Sequence, residues 1–181
     1  MRFVLAFVLA SAAVTAGGQA LAQRQPDVVF VPTPQEVVDA MLKLANVHQG
    51  DVLYDLGCGD GRIPVSAAKQ YGVRAIGIDI DPQRIQEANE NAKQAGVTQL
   101  VQFRREDLFK ANFKEASVVT LYLLPELNVK LRPRLLAELK PGTRIVSHQF
   151  DMGTWKPDRK VELSAGRTIY LWTIPPRKKP S

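Results

Sequence analysis

Seven consecutive residues, Asp55-Leu56-Gly57-Cys58-Gly59-Asp60-Gly61, carry most of the chemistry in this chain. They follow the apolar run Val52-Leu53-Tyr54, which reads as a buried strand, and lead directly into a helical pattern from Arg62. Glycines at 57, 59 and 61 let a backbone turn tightly and meet a ligand with no Cβ in the way. The helix start beyond them presents unpaired N–H groups to a carboxylate or phosphate. Asp79, 22 residues after Gly57, ends a second apolar strand, where a carboxylate can accept two hydrogen bonds from a ribose diol. Asp107 follows a third strand and suits the amino group of an adenine. A loop and two acids on three successive strand ends describe an adenosine-shaped slot with an anionic or zwitterionic end.

Other uses of such a loop are disfavoured. A dinucleotide fingerprint places its third glycine at position 62, which is Arg62 here. No Gly-Lys-Ser/Thr follows, so the loop is not that of a nucleoside triphosphatase. A single cysteine, Cys58, excludes an intramolecular disulfide and a thiolate cluster; with only His48 and His148 besides, a dedicated metal site is not expected. Cys58 has no adjacent basic partner and reads as a small loop filler.

The elements that must position these residues alternate. Helices are expected at 34–46, 62–71, 82–95 and 128–139, the first with Thr33 as N-cap and Pro34 at its first position. Strands are expected at 52–56, 74–80, 100–103, 117–123 and 143–147, with a closing hairpin of 159–163 and 168–174. This is an α/β pattern with a mostly parallel, twisted sheet covered on both faces. Asp60 reads chiefly as a helix cap, and Arg104-Arg105 as a solvated pair.

The 181 residues hold one domain and a short leader. Arg2, the apolar run from Phe3 to Ala16, and Ala20-Leu21-Ala22 form a signal-peptide pattern with cleavage after Ala22. The run is too short for a membrane-spanning helix, so no such helix is expected in the mature chain. The expected location is periplasmic or secreted; an uncleaved membrane tether, or a cytoplasmic chain with a misplaced start, are the alternatives. Residues 23–32 read as an irregular lead-in, 33–175 as the domain and 176–181 as a basic tail. The net charge of +6 is weakly compatible with acidic partners and says nothing about fold.

Asp55 followed by Gly57-x-Gly59-x-Gly61 is the pattern of class I S-adenosyl-L-methionine-dependent methyltransferases. Within them the chain resembles the small protein-lysine methyltransferases that include archaeal broad-specificity enzymes and the mitochondrial enzyme acting on an ATP synthase ring subunit. The resemblance is carried by Val31-Pro32-Thr33-Pro34, Tyr54 to Arg62, Gly77-Ile78-Asp79-Ile80-Asp81 and Glu106-Asp107-Leu108-Phe109. Thr120-Leu121-Tyr122-Leu123-Leu124-Pro125 and Phe150 with Trp155-Lys156-Pro157-Asp158 complete it. It implies a Rossmann-like seven-stranded class I methyltransferase fold whose last strand is antiparallel. It also implies that Gly57, Gly59 and Gly61 cradle the methionine part of the cofactor, and that Asp55 orients the loop or meets the ammonium group. Asp79 would take the ribose, Asp107 the adenine edge, and Thr33 would close over the methionine end.

Methyl transfer asks the protein mainly to align a nucleophile and exclude water. Tyr122 is the expected wall of the target channel and Glu126 an electrostatic lure for a lysine ammonium. His148 and Trp155 lie where they frame a target or simply pack. A protein lysine is the expected substrate. RNA or a small molecule is the alternative among enzymes, and an exported, non-catalytic binding protein the alternative outside them.

Overall fold

The computed structural model describes residues 29–177. The expected signal segment, most of the expected lead-in and the end of the basic tail lie outside them. Seven strands form one sheet: Val52–Leu56 (β1), Arg74–Asp79 (β2), Val101–Arg105 (β3), Val118–Leu121 (β4), Arg144–His148 (β5), Arg159–Glu162 (β6) and Thr168–Thr173 (β7). Their order is β3-β2-β1-β4-β5-β7-β6. The first five pair in parallel, and β7 lies antiparallel between β5 and β6. The expected mostly parallel sheet with a C-terminal antiparallel hairpin is therefore what the chain builds.

Helices Gln35–Leu44 (α1), Arg62–Tyr71 (α2), Pro82–Gln94 (α3) and Pro125–Glu138 (α4) cover the sheet. Strand alternation sorts the core between its faces. Leu53, Ala75, Val118 and Val146 meet Val37, Met41 and Ala67 of α1 and α2. Tyr54, Ile76, Val119 and Ile145 meet Leu131 and Leu135 of α4, together with Phe113. The central strands are thus buried on both sides, which is why they read as near-continuous apolar runs.

Two helix starts differ from the sequence expectation. Pro34, not Thr33, caps α1: its carbonyl accepts the N–H groups of Val37 and Val38, both at 3.0 Å, and no side chain caps the helix. Thr33 is buried instead, with its hydroxyl turned towards His148. Helix α4 starts at Pro125, three residues earlier than expected, because proline is preorganised for a first helical position.

At the amino ends of the strands, opposite the glycine loop, Asp51 fastens three elements. Its Oδ1 accepts the Ser117 hydroxyl at 2.6 Å and pairs with Arg144, and its Oδ2 accepts the His48 amide at 3.0 Å. Arg144 also donates to the Ala45 and Asn46 carbonyls, each at 2.8 Å. Burial alone would push the Asp51 carboxyl up, but Ser117, the His48 amide and Arg144 together hold it below its ordinary 3.8. A depressed carboxylate stabilises the fold above its unfolded pKa, and that contribution disappears as pH falls through the folded one. Asp51→Ala should therefore cost about 2–3 kcal/mol in urea unfolding at neutral pH. The gap from wild type should narrow in acid below pH 3.8.

Candidate active site at the strand ends

The order of strands turns at β1, with β2 on one side and β4 on the other, and ligands of open α/β sheets occupy the crevice at the carboxyl ends of such strands. A cavity opens there. Asp55, only 2% exposed, faces it from β1 and accepts the hydroxyl of Thr120, its partner across the β1–β4 pairing, at 2.7 Å. Burial pushes its carboxyl up to about 8 against the help of Thr120, and the charges of Asp79 and Asp60 add to the rise.

Asp79 clamps the glycine loop to the end of β2. Its Oδ2 accepts the Gly59 amide at 2.8 Å and its Oδ1 the Asp81 amide at 3.0 Å. Gly57 turns with φ of 86°, its N–H donating to the Ile78 carbonyl at 2.8 Å, and lines the cavity. Gly61, at φ 75°, serves packing: a Cβ there would lie 2.5 Å from Phe103 Cζ and 2.7 Å from Ala88. Gly59 lies beneath the ring of Phe30, 2.2 Å from where its own Cβ would stand. Asp60 grips Arg62, whose Nη1 donates to the Thr33 carbonyl at 2.9 Å and ties the lead-in to the loop. Asp107 lines the cavity between Ile80 and Leu108, and its Oδ1 accepts the Phe109 amide at 2.9 Å. Cys58 is buried, and burial pushes its thiol well up, consistent with a filler.

The sequence reading passed over Phe30, Arg62, Arg84 and Thr120. Arg84 lays its guanidinium 4.7 Å from the centroid of the Phe30 ring, so this pair covers one side of the cavity. An aromatic residue directly before Val31-Pro32-Thr33 was the one available signal.

At the other end, Tyr122 continues β4 into the cavity wall. The ring of His148 lies 4.0 Å from that of Tyr122, and Phe150 stacks on Tyr122 at 6.4 Å. His148 is 3% exposed, and burial together with the charge of Arg167 lowers it to about 4, so the imidazole is neutral at neutral pH. Glu126 stands exposed in the first turn of α4, away from the cavity lining. Trp155 packs against Trp172, whose indole donates to the Trp155 carbonyl at 2.9 Å.

These residues fit a cationic nucleoside. Three carboxylates, Asp55, Asp60 and Asp79, line the cavity beside the loop and favour the ammonium and sulfonium of S-adenosylmethionine, while Ile80 and Leu108 offer apolar walls to a purine. An ammonium next to Asp55 favours its carboxylate, so binding must expel the proton that Asp55 holds below about 8. Affinity for S-adenosylhomocysteine should therefore rise from neutral pH towards about 8 and then level off. Calorimetry in buffers of different ionisation heat should record proton release at neutral pH. Asp79→Ala should weaken the same ligand by about tenfold or more; unchanged affinity would remove Asp79 from the binding set.

Residues 55–159 match the family model of the ANTKMT methyltransferase domain. A protein-lysine N-methyltransferase of Saccharolobus islandicus is 45% identical over 153 residues, 82% of this chain and 95% of that one. The adenine nucleotide translocase lysine N-methyltransferase of Mus musculus is 37% identical over 131 residues, 72% of this chain and 56% of that protein. Among solved structures, a protein from Salinibacter ruber described as an RNA methyltransferase, in complex with S-adenosyl-L-homocysteine, is 58% identical. It superposes with a TM-score of 0.80 over 83% of this chain and 98% of its own. The chain belongs to the ANTKMT methyltransferase domain family and is an S-adenosyl-L-methionine-dependent methyltransferase.

Proposed function

We propose that the chain transfers methyl groups to the side-chain amine of lysine in a protein. The observation that carries this reading is the charge of the cavity. Six acids line it, Asp55, Asp60, Asp79, Asp81, Glu106 and Asp107, against two basic side chains, Arg62 and Arg84. Arg62 is held by Asp60 and Arg84 by Glu87 at 2.7 Å, so neither lining arginine is left for a nucleic-acid phosphate. An acidic cavity draws in a cationic amine and repels a polyanion.

The target end is apolar and aromatic, which suits the four-carbon stem of lysine. The bound cofactor supplies a methyl on an electrophilic sulfonium; the protein's share is to align the amine and keep water out. Tyr122 walls the approach, and Glu126, exposed in the first turn of α4 outside the lining, is a longer-range attraction for the ammonium before it loses its proton. Thr33 and Asp55 close the methionine end, with Gly57 and Gly59 beneath. The names of the Saccharolobus and mouse relatives support a lysine target, whereas that of the Salinibacter relative supports RNA.

The two are separated by incubating purified residues 23–181 with methyl-tritiated S-adenosylmethionine and heat-inactivated cell lysate. Label in acid-stable methyl-lysine is expected; label in RNA instead would overturn the reading. Export is part of the same proposal, resting on the charged start, apolar run and small-x-small site of residues 1–22. Protein recovered from cells should begin at Gln23, and an intact Met1 would refute cleavage.

A further inference from the structure

His148 is a buried polar side chain that the fold does not explain. It ends β5 on the face where alternation also places Thr120 and Tyr122, and it is 3% exposed. Its Nδ1 faces the Thr33 hydroxyl at 3.5 Å, the outer limit of a hydrogen bond. Its Nε2 makes no hydrogen bond among the described residues. Thr33 and Tyr122, the side chains that meet it through a polar and a ring contact, both line the cavity.

The surroundings hold the ring in place. Gln149 takes a left-handed φ of 67°, and its side-chain Oε1 accepts the Thr168 amide at 3.2 Å. Behind it the buried Asn128 donates to the Phe150 and Asp151 carbonyls, each at 3.2 Å, which pins the loop that carries Phe150 against Tyr122. A left-handed conformation is unfavourable at a non-glycine residue and persists only where the surroundings enforce it.

We propose that His148 binds the target amine: Nδ1–H rests on the Thr33 hydroxyl, and the free Nε2 accepts an N–H of the amine flanked by Tyr122 and Phe150. A neutral imidazole has one donor nitrogen and one acceptor, and a threonine hydroxyl can receive the donor. The acceptor is then left for a group that brings N–H bonds. The imidazole does not take the proton that lysine must lose. Its pKa of about 4 lies some six units below the ordinary lysine value of about 10.4, a mismatch of about a millionfold. Its part is to orient the amine, whose lone pair forms the new N–C bond as the S–CH₃ bond breaks; the proton leaves to solvent.

This assignment rests on the lysine reading, and one assay separates the two. His148→Phe keeps a ring against Tyr122 but removes both nitrogens, and His148→Gln restores an acceptor near Nε2. Lysine labelling in lysate protein should fall about tenfold to a hundredfold in His148→Phe, the effect of one hydrogen bond to an amine that gains positive charge as the N–C bond forms. It should recover in part in His148→Gln, with S-adenosylhomocysteine affinity within about twofold of wild type in both. Wild-type protein that labels lysine while His148→Phe keeps its full rate would overturn the assignment and leave the lysine reading standing. Wild-type protein that labels no lysine defeats both. A measurement on the wild type needs no variant to fold: with His48 as the one other histidine, long-range ¹H–¹⁵N spectra resolve both imidazoles. Adding n-butylamine to the S-adenosylhomocysteine complex should shift His148 Nε2 and leave exposed His48 unmoved; an unmoved His148 also overturns it.

Discussion

Asp55 is a carboxyl group enclosed by the fold, with the neutral Thr120 hydroxyl as its one hydrogen-bond partner among the described residues and two further acids nearby. Such a group is costly to ionise, and no cation among the described residues relieves it. A cation bound in the cavity would supply the counter-charge that Asp55 lacks among the described residues. The Asp79 clamp and the turn at Gly57 both hold the loop over this carboxylate. The opposite end of the sheet follows the other logic: Asp51 is buried with Arg144 and is satisfied within the fold itself. One end of the sheet is thereby a permanent fastening and the other a receptor.

A single stretch of lead-in joins the two halves of that receptor. Phe30 lies over Gly59 and against Arg84. Three residues later the Thr33 carbonyl takes the Arg62 guanidinium, and its hydroxyl faces His148. Because Arg62 is itself held by Asp60, the lead-in, the glycine loop and the start of α2 are linked in one network. Loss of Arg62 would loosen the lead-in and the glycine loop together.

That Asp55, Gly57, Asp79 and Asp107 would share one cavity was readable from spacing. An acid, three glycines, a second acid at a strand end and a third after the next strand are local features, and each strand end is set by its own apolar run. Gly61 shows where spacing alone misleads: it belongs to the motif, yet its missing Cβ makes room for Phe103 and Ala88. Thr33 shows the same for capping. Its position before Pro34 has the signature of an N-cap, but burial turned the hydroxyl away to His148.

The sequence by itself determined the alternation of elements, the acidic glycine loop and the family, because these depend on short-range periodicity and on backbone freedom within a few residues. Only the tertiary structure decided which side chains share a face. Thr120 sits opposite Asp55, and Tyr122 and His148 follow on the same side, because β4 pairs with β1 and β5 in one register; a slip of one residue would turn every one of them away. Phe30 meets Arg84 and Thr33 meets His148 across long separations in the chain, contacts that no local pattern encodes. The neutral state of His148 and the raised carboxyl of Asp55 come from burial, a property of the packed molecule rather than of either residue.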